Sequence, residues 1–516
     1  MDGSQPRAVS LWTARGGPAH APLRGDTTVD VAIVGGGIVG MTAASILRAH
    51  GRRVAVIEAR SMGRQTTGGS SAKITAQHSL IYSRLRSTFS DATARVYADA
   101  NAAAVEWIGE RVARLGIDCS YERHPAYVFT NDAGRVDELR EEAETAVGLG
   151  LPARFVESVP LPVPAVGAVV FDGQAQFDPY AYLLAEALRF VDEGGLLYEN
   201  TRVTDVDTSG ALARVVTDRG VVSAHDVILA TNLPILDQGH YYTKAFPIAH
   251  LAIATRLEGD APDGMFITVD QPTHSLRWHR DALDRLWMLA LGPRFRTGSE
   301  DTDEGFRDLE AWARTYFPIK SVEYRWWNED FQSADGIPYV GRLTSDVDHL
   351  YVATGFSGWG ISNGVVAAQI LADTIEGRPN AWAKTFDSTR PLPLRAAGDL
   401  VKGNLPSAKA WVGDRIGSRQ SLDLATIRAG EGLVVDVEGK ATAVSRDAAG
   451  AIHAVSAECS HRGCILDWNG AMRTWDCGCH GSSFDPDGQV LRGPAVNNLE
   501  AMNVTDAATP QGVSTT

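Results

Sequence analysis

VDVAIVGGGIVGMTAASILRAHGRRVAVIEA, residues 29–59, holds the most informative pattern in the chain. Residues 29–34 are a β-branched apolar run, the mark of a buried strand. The run meets a glycine turn and then MTAASILRAHG, a helix-like stretch closed by Gly51. RRVAVIEA follows as a second strand, so the pattern is a β-turn-α-β unit of a parallel, doubly wound sheet. The turn carries GxGxxG as Gly35, Gly37 and Gly40, and Glu58 closes the second strand eighteen residues after Gly40. Such glycines serve a tight turn, close approach of backbone to a pyrophosphate, and close helix-to-strand packing, and the helix N-terminus favours the phosphate charge. Glu58 is placed to accept hydrogen bonds from ribose hydroxyls. The motif predicts a dinucleotide without separating NAD from FAD.

Two later segments repeat the strand-to-turn pattern: VVSAHDVILATN (221–232) and HLYVATGFSGWGISNGVVAAQILADTIEG (349–377), the second followed by a long helix. Between them SLRWHRDALDRLWMLALG (275–292) alternates like antiparallel strands joined by a turn, which predicts a second, sheet-containing lobe inserted into the first. After Arg390 the periodicity breaks into a proline-containing arm, residues 391–420. Residues 421–504 hold short strands, turns at Glu431-Gly432 and Glu438-Gly439, and a cysteine cluster, and so form a separate small β domain. A length of 516 residues with 44% hydrophobic content fits about three folded units. The net charge of -15, from 48 basic and 63 acidic residues, repels phosphate backbones, and nucleic acid is excluded as a partner. The N-terminal residues have no apolar core of a secretory signal, and no run of ~20 apolar residues offers a transmembrane segment. A cytoplasmic protein is expected.

Four of the five cysteines lie between Cys459 and Cys479. They fall in two loops, Cys459-Ser-His461-Arg-Gly-Cys464 and Cys477-Gly-Cys479-His480-Gly-Ser482. One Cys and one His in each loop offer two thiolates to one iron and two imidazoles to the other, the donor set of a Rieske [2Fe-2S] centre held by Cys459, His461, Cys477 and His480. Tetrahedral zinc is the competing reading, although zinc fingers keep the cysteine pair and the histidine pair apart.

The pairing of VAIVGGGIVG with the late ATGFSGWGISNG resembles the D-amino acid oxidase superfamily of FAD-dependent oxidoreductases. The likeness spans residues ~29 to ~385 and includes GRQTTGGSSAKITAQH (63–78) and EDFQSADGIPYVG (329–341). It implies an α/β FAD-binding Rossmann-like domain with an inserted α+β substrate domain, followed by the C-terminal all-β Rieske domain. By that resemblance residues 1–390 are the oxidoreductase, with FAD-binding segments at about 29–90, 165–235 and 330–390 and a substrate lobe from about 91–164 and 236–329, and residues 421–516 are the Rieske domain. Thr66, Thr67, Ser70, Ser71 and Lys73 are implied to line FAD, Val203 to lie near the adenine, and Gly355, Gly358, Trp359 and Gly360 to face the flavin. His78, Asp335, Tyr339 and Trp359 are the implied catalytic candidates. Arg277 and Arg280 are candidates for a carboxylate-binding arginine, and if neither enters the pocket a neutral amine is expected.

The cysteine loops resemble high-potential Rieske proteins. That likeness implies a Cys464–Cys479 disulfide and a cluster hydrogen bond from Ser482, while Phe484, where tyrosine is common, implies a somewhat lower potential. The combination is similar to bacterial FAD-dependent oxidoreductases with a C-terminal Rieske domain. It implies oxidation of a C–N bond in a small amine or amino acid, with electrons passed singly through the cluster to a protein or quinone acceptor. Two alternatives remain: a reductase feeding a partner enzyme, which lacks a second dinucleotide motif, and a Rieske oxygenase using Asp270, His274 and His279, whose strand spacing opposes a shared iron.

Overall fold

A computed structural model describes residues 6–298, 301–398, 400–404, 420–421 and 424–504. The chain divides into one unit of Met1–Phe295 with Glu304–Val401 and a second of Arg296–Asp303 with Lys402–Thr516. Most of the arm expected at 391–420, and residues 505–516, lie outside the described residues.

The first unit is built on two sheets. In one, Leu350–Thr354, Gly220–Leu229, Thr27–Val34, Val54–Ile57 and Leu196–Tyr198 lie side by side in parallel, and Tyr339–Arg342 joins the edge antiparallel. Val31, Ala32, Ile33 and Val34 are all buried, as an unbroken apolar run requires when helices cover both faces. The Ile38–Ala49 helix packs against Gly360–Ile375, and small residues on both permit the close approach. The strand-helix-strand expected at 29–59 is therefore present, and the strand-turn-helix expected at 349–377 matches Leu350–Thr354 and Gly360–Ile375.

The second sheet runs Ile319–Ser333, Ala245–Leu257, Leu286–Phe295, Ser275–Arg280, Met265–Thr268, Glu122–Thr130, Gly167–Gln176 and Lys73–Ile74. Ser275–Arg280 and Leu286–Phe295 form the antiparallel pair expected from the alternation. Gly167–Gln176 and Lys73–Ile74 belong to this sheet, although the sequence boundaries group them with the FAD segments. The reason is register: Lys73 and Glu122 both pair with Gln176.

The second unit holds two small sheets. Gln420–Ser421, Gly432–Val437, Lys440–Arg446 and Ile452–Ser456 make one, and Asp467–Asn469, Thr474–Asp476, Ser483–Phe484 and Val490–Arg492 make the other. Glu438-Gly439 is the tight turn expected, with φ of +53° and +80°. The other expected turn falls at Ala429–Gly430, while Gly432 opens a strand, where a Cβ would stand 2.5 Å from the Trp468 ring. Arg296–Asp303, placed by sequence in the substrate lobe, belongs to this unit. Arg296 donates to the carbonyls of Gly403, Gly478 and Cys479, and Thr302 bonds Asn469 at 2.7 Å. Among the described residues no helix is long and apolar enough to cross a membrane.

Candidate functional site

The glycine turn fits a dinucleotide. Gly35 has φ +110° and a Cβ there would sit 2.4 Å from the Ala230 carbonyl oxygen, while one at Gly40 would sit 2.0 Å from that of Gly35. At Gly37, which opens the helix, a Cβ would touch only the Thr67 hydroxyl at 3.3 Å, so space is left above the helix N-terminus. Thr67 accepts from the Ile38 N–H at 3.1 Å. Glu58 accepts from the N–H groups of Gly36 and Arg60, each at 2.9 Å, and burial pushes its carboxyl up. The Glu58 carbonyl receives the Thr201 N–H, which brings the Glu199–Val203 chain alongside, and Val203 is buried in the core beneath the same sheet. A phosphate cradle, an acid at the second strand and an apolar flank together suit the adenosine half of FAD.

The 66–73 segment is locally well satisfied. Thr66 donates to the Glu329 carbonyl at 2.8 Å and accepts from Asn232, and Ser70 donates to the Thr67 carbonyl at 2.8 Å. Ser71 presents its carbonyl to Arg277 at 3.1 Å. Lys73 donates to the Phe266 carbonyl and to Ser275, and burial, helped by the Arg277 charge, lowers its pKa to about 7.

Next to the Gly355–Gly360 turn lies a polar face of the second sheet. His250 pairs across the strands with Arg294 and with Asn328, and Asp330 and Gln332 follow Asn328 at alternate positions, so all five share a face. Asp330 accepts the Gly358 N–H at 2.6 Å, while its other oxygen is buried without a hydrogen-bond partner among the described residues. Burial raises this carboxyl to about 6, against the pull of the Gly358 and Phe331 N–H groups and of Arg294. Arg294 donates to Gln332 at 2.6 Å; part of its side chain reaches solvent, while the protein around the guanidinium desolvates it and lowers its pKa. Among the described residues it forms no ion pair within 4 Å. Burial lowers the His250 pKa to about 3, so its imidazole is neutral.

The four catalytic candidates fall into two groups. His78 stacks on Trp359 with centroids 4.9 Å apart. Its Nε2 donates to the Thr75 carbonyl at 2.8 Å, which leaves Nδ1 to accept from the Tyr97 hydroxyl at 2.7 Å. Burial drops the imidazole to about 3, and with both nitrogens engaged it has no proton to give or take. Asp335 is fully buried in a bidentate pair with Arg390, at 2.9 and 2.7 Å. Arg390 and Lys244 also flank the Tyr339 ring at 4.2 and 4.9 Å. The Asp335 carboxylate is spent on this pair, so its geometry is that of a structural anchor. Of the two arginines considered for a substrate carboxylate, Arg277 is buried with Nη1 on three carbonyls and with Nε and Nη2 left without a hydrogen-bond partner among the described residues, and Arg280 pairs with exposed Asp284. Sequence reasoning missed Arg294, Asp330 and His250. The alternation Asn328, Asp330, Gln332 was the available signal.

The oxygenase triad is not assembled. Asp270 accepts from Thr130 and Asn131, His274 stacks on Trp312 at 3.8 Å, and His279 meets the Trp12 ring at 5.0 Å.

In the second unit the two cysteine loops share one backbone design. Cys459 N–H donates to the Cys464 carbonyl and Gly463 N–H to that of Cys459, and Cys477 N–H to that of Ser482 and Gly481 N–H to that of Cys477. Cys464 and Cys479 are joined as a disulfide, which leaves Cys459 and Cys477 as buried free thiols in hydrogen-bonding contact. The His461 and His480 rings stand 5.1 Å apart. Ser482, fully buried, bonds the Cys459 sulfur, and Phe484 offers no hydroxyl. Two thiols and two imidazoles, convergent from twin loops, fit a [2Fe-2S] cluster of Rieske type.

A parallel sheet with a glycine phosphate cradle, a second sheet over its cofactor turn and a twin-loop cluster site define a flavoprotein oxidoreductase joined to an iron-sulfur module. The chain belongs to the FAD dependent oxidoreductase (DAO) family, whose model matches residues 30–374, and a Rieske [2Fe-2S] domain matches 420–503. Its cofactors are FAD and the cluster. It is 32% identical over 94% of its length to YhfW of Bacillus subtilis (strain 168), which carries the name of a Rieske 2Fe-2S iron-sulfur protein, covering 96% of that relative. Gamma-glutamylputrescine oxidoreductase of Escherichia coli (strain K12) is 26% identical, over 75% of this chain and 92% of its own. The glycine oxidase structure from Geobacillus kaustophilus shares the fold, with a TM-score of 0.59 at 21% identity over 70% of this chain and 99% of that one.

Proposed function

We propose that the protein oxidises the C–N bond of a small amine that bears a carboxylate, and passes the electrons singly through its cluster to an external protein or quinone acceptor. The observation that carries this reading is Arg294, a guanidinium desolvated near Asp330, which holds the Gly358 turn, with no ion-pair partner within 4 Å among the described residues. Such a fork binds a carboxylate in bidentate fashion. When bound, FAD takes the hydride from the carbon next to nitrogen, and the cluster carries one electron at a time.

The remaining work falls to side chains. Gln332 holds the Arg294 guanidinium in its plane at 2.6 Å. A hydride leaves carbon readily only if the neighbouring nitrogen has a free lone pair, so a substrate ammonium must first lose a proton. The unpartnered oxygen of Asp330, with a pKa near 6, suits that acceptor role. His78 and Trp359 stack as a neutral wall that orients substrate and excludes water. The amine named in its E. coli relative, gamma-glutamylputrescine, is in keeping with this substrate class.

The experiment is an anaerobic titration of holoprotein with amino acids, N-methyl amino acids and their carboxylate-free amines, with NADH and NADPH alongside, followed by flavin absorbance and low-temperature EPR. Bleaching of the flavin with appearance of the reduced-cluster signal is expected for a carboxylate-bearing amine. Arg294→Met should raise KM for that amine roughly 100-fold, in line with loss of a charge-assisted pair of about 2–3 kcal/mol. Reduction by NADH or NADPH alone would replace this reading with that of a reductase.

A further inference from the structure

Away from the cofactor recess, at the opposite end of the parallel sheet, His225, Asp226 and His349 converge. His225 and Asp226 lie on Gly220–Leu229, and His349 immediately precedes the neighbouring strand Leu350–Thr354. The Nδ1 of His225 lies 2.9 Å from one oxygen of Asp226, and the Nδ1 of His349 lies 2.9 Å from the other. The two rings meet edge to face at 4.2 Å, and one ligand atom from each of the three residues falls within 4.8 Å of the others. Asp226 is 11% exposed, while the imidazoles are 58% and 51% exposed, so solvent can complete a coordination shell.

Two further features look built for convergence. His349 has φ +63°, a left-handed conformation unfavourable for a residue with a Cβ, and its carbonyl is fixed by the Val227 N–H at 2.8 Å. Tyr351 donates to the Asp226 oxygen nearer His349 at 3.3 Å, the outer hydrogen bond that orients a ligating carboxylate. The nearby cation, Arg52, is engaged by Glu376 at 2.8 Å.

We propose that His225, Asp226 and His349 form a surface binding site for a divalent transition-metal ion of the zinc class. Two imidazole nitrogens and one carboxylate oxygen are a borderline donor set that favours Zn2+, Ni2+ or Cu2+ over Mg2+ or Ca2+. The three ligand atoms, all within 4.8 Å of one another, need only modest side-chain rotation to reach the roughly 3.0–3.4 Å separation of ligands at an ion with bonds of about 2.1 Å. On entry of the ion each Nδ1 proton moves to Nε2 through solvent, so neutral histidines bind without net proton release. The bound ion would clip the middle of Gly220–Leu229 to the start of Leu350–Thr354, two strands whose far ends run into Asn232 and Gly355 at the cofactor recess.

The test uses FAD- and cluster-loaded protein freed of loose metal on a chelating resin and titrated with ZnSO4 by calorimetry, with melting temperature measured in parallel. One Zn2+ per chain with a micromolar Kd and a raised melting temperature are expected. His225→Ala and His349→Ala should each weaken binding at least 10-fold and abolish the thermal shift, while flavin absorbance and the cluster EPR signal stay unchanged and report an intact fold. Asp226→Asn should weaken binding similarly. No saturable binding below about 100 µM, or the same affinity in the His225→Ala/His349→Ala double variant, overturns the proposal.

Discussion

Arg277 separates a structural arginine from a substrate-binding one. It is fully buried, and its Nη1 donates to the carbonyls of Ser71, Ala72 and Phe177 at 3.1, 3.1 and 2.9 Å, with the guanidinium 4.9 Å from the Trp12 ring. It therefore pins the segment that leads from the glycine turn into the second sheet. Burial lowers its pKa to about 9, so holding the charge there is costly and the three bonds must offset that cost. In Arg277→Met the burial cost disappears, but the carbonyls of Ser71 and Phe177 lose a donor; Ala72 keeps a long bond from the Phe177 N–H at 3.4 Å. Two buried carbonyls at about 1–3 kcal/mol each lose roughly 2–6 kcal/mol, while release of a burial cost that lowers the pKa from 12.5 to about 9 returns roughly 5 kcal/mol, so the two nearly cancel. A unit of this size should then melt within roughly 5 °C of wild type. FAD should bind more weakly, because residues 71–73 lose their anchor. The assay is thermal melting at matched FAD occupancy, together with KM for a carboxylate-bearing amine and for its carboxylate-free analogue. Both KM values should move by the same small factor. A large KM rise confined to the carboxylate-bearing amine would refute the reasoning and place Arg277 in the substrate pocket.

Asp330 gives two pH effects of opposite sign. Its folded pKa is raised from 3.8 to about 6, so its stability contribution is present below the unfolded value and is lost as pH rises through 6; the difference of 2.2 corresponds to roughly 3 kcal/mol. Asp330→Asn should therefore melt higher than wild type at pH 8 and no higher at pH 4, and should lose the limb of substrate oxidation that rises with pH near 6; equal melting profiles for the two proteins would contradict the shift. Arg296, hydrogen-bonded to the carbonyls of Gly478 and Cys479 in the second cluster loop, places a positive charge beside a centre that gains an electron. For a separation on the order of 10 Å and an effective dielectric of about 20, Arg296→Gln should lower the cluster midpoint by roughly 70 mV, read by EPR-monitored redox titration; an unmoved midpoint would mean that Arg296 only braces the loop.

How much of this was legible depended on the range over which each feature is determined. The 29–59 unit reads directly because buried parallel strands are unbroken apolar runs and because Gly35 and Gly40 are forced by backbone atoms only a few residues away or on the adjoining strand. The cluster loops read for the same reason, since the four expected ligands and the backbone bonds that shape their loops lie within residues 459–482. The substrate face did not. His250 and Arg294 are cross-strand partners 44 positions apart, and Asp330 becomes chemically distinctive only because the Gly358 N–H occupies one of its oxygens and burial strands the other. On a strand, Asn328, Asp330 and Gln332 look like an ordinary solvated edge. The converse error is as informative. Asp335 sits inside a motif that suggests the flavin site, yet Arg390, 55 residues away, spends both of its oxygens. His78 likewise has both ring nitrogens committed. Nearness to a cofactor motif is a statement about backbone, whereas reactivity belongs to polar atoms that the fold has left unspent. That criterion selects Arg294 and Asp330 over His78 and Asp335, and it keeps the unpartnered hydroxyl of Tyr339 among the motif residues.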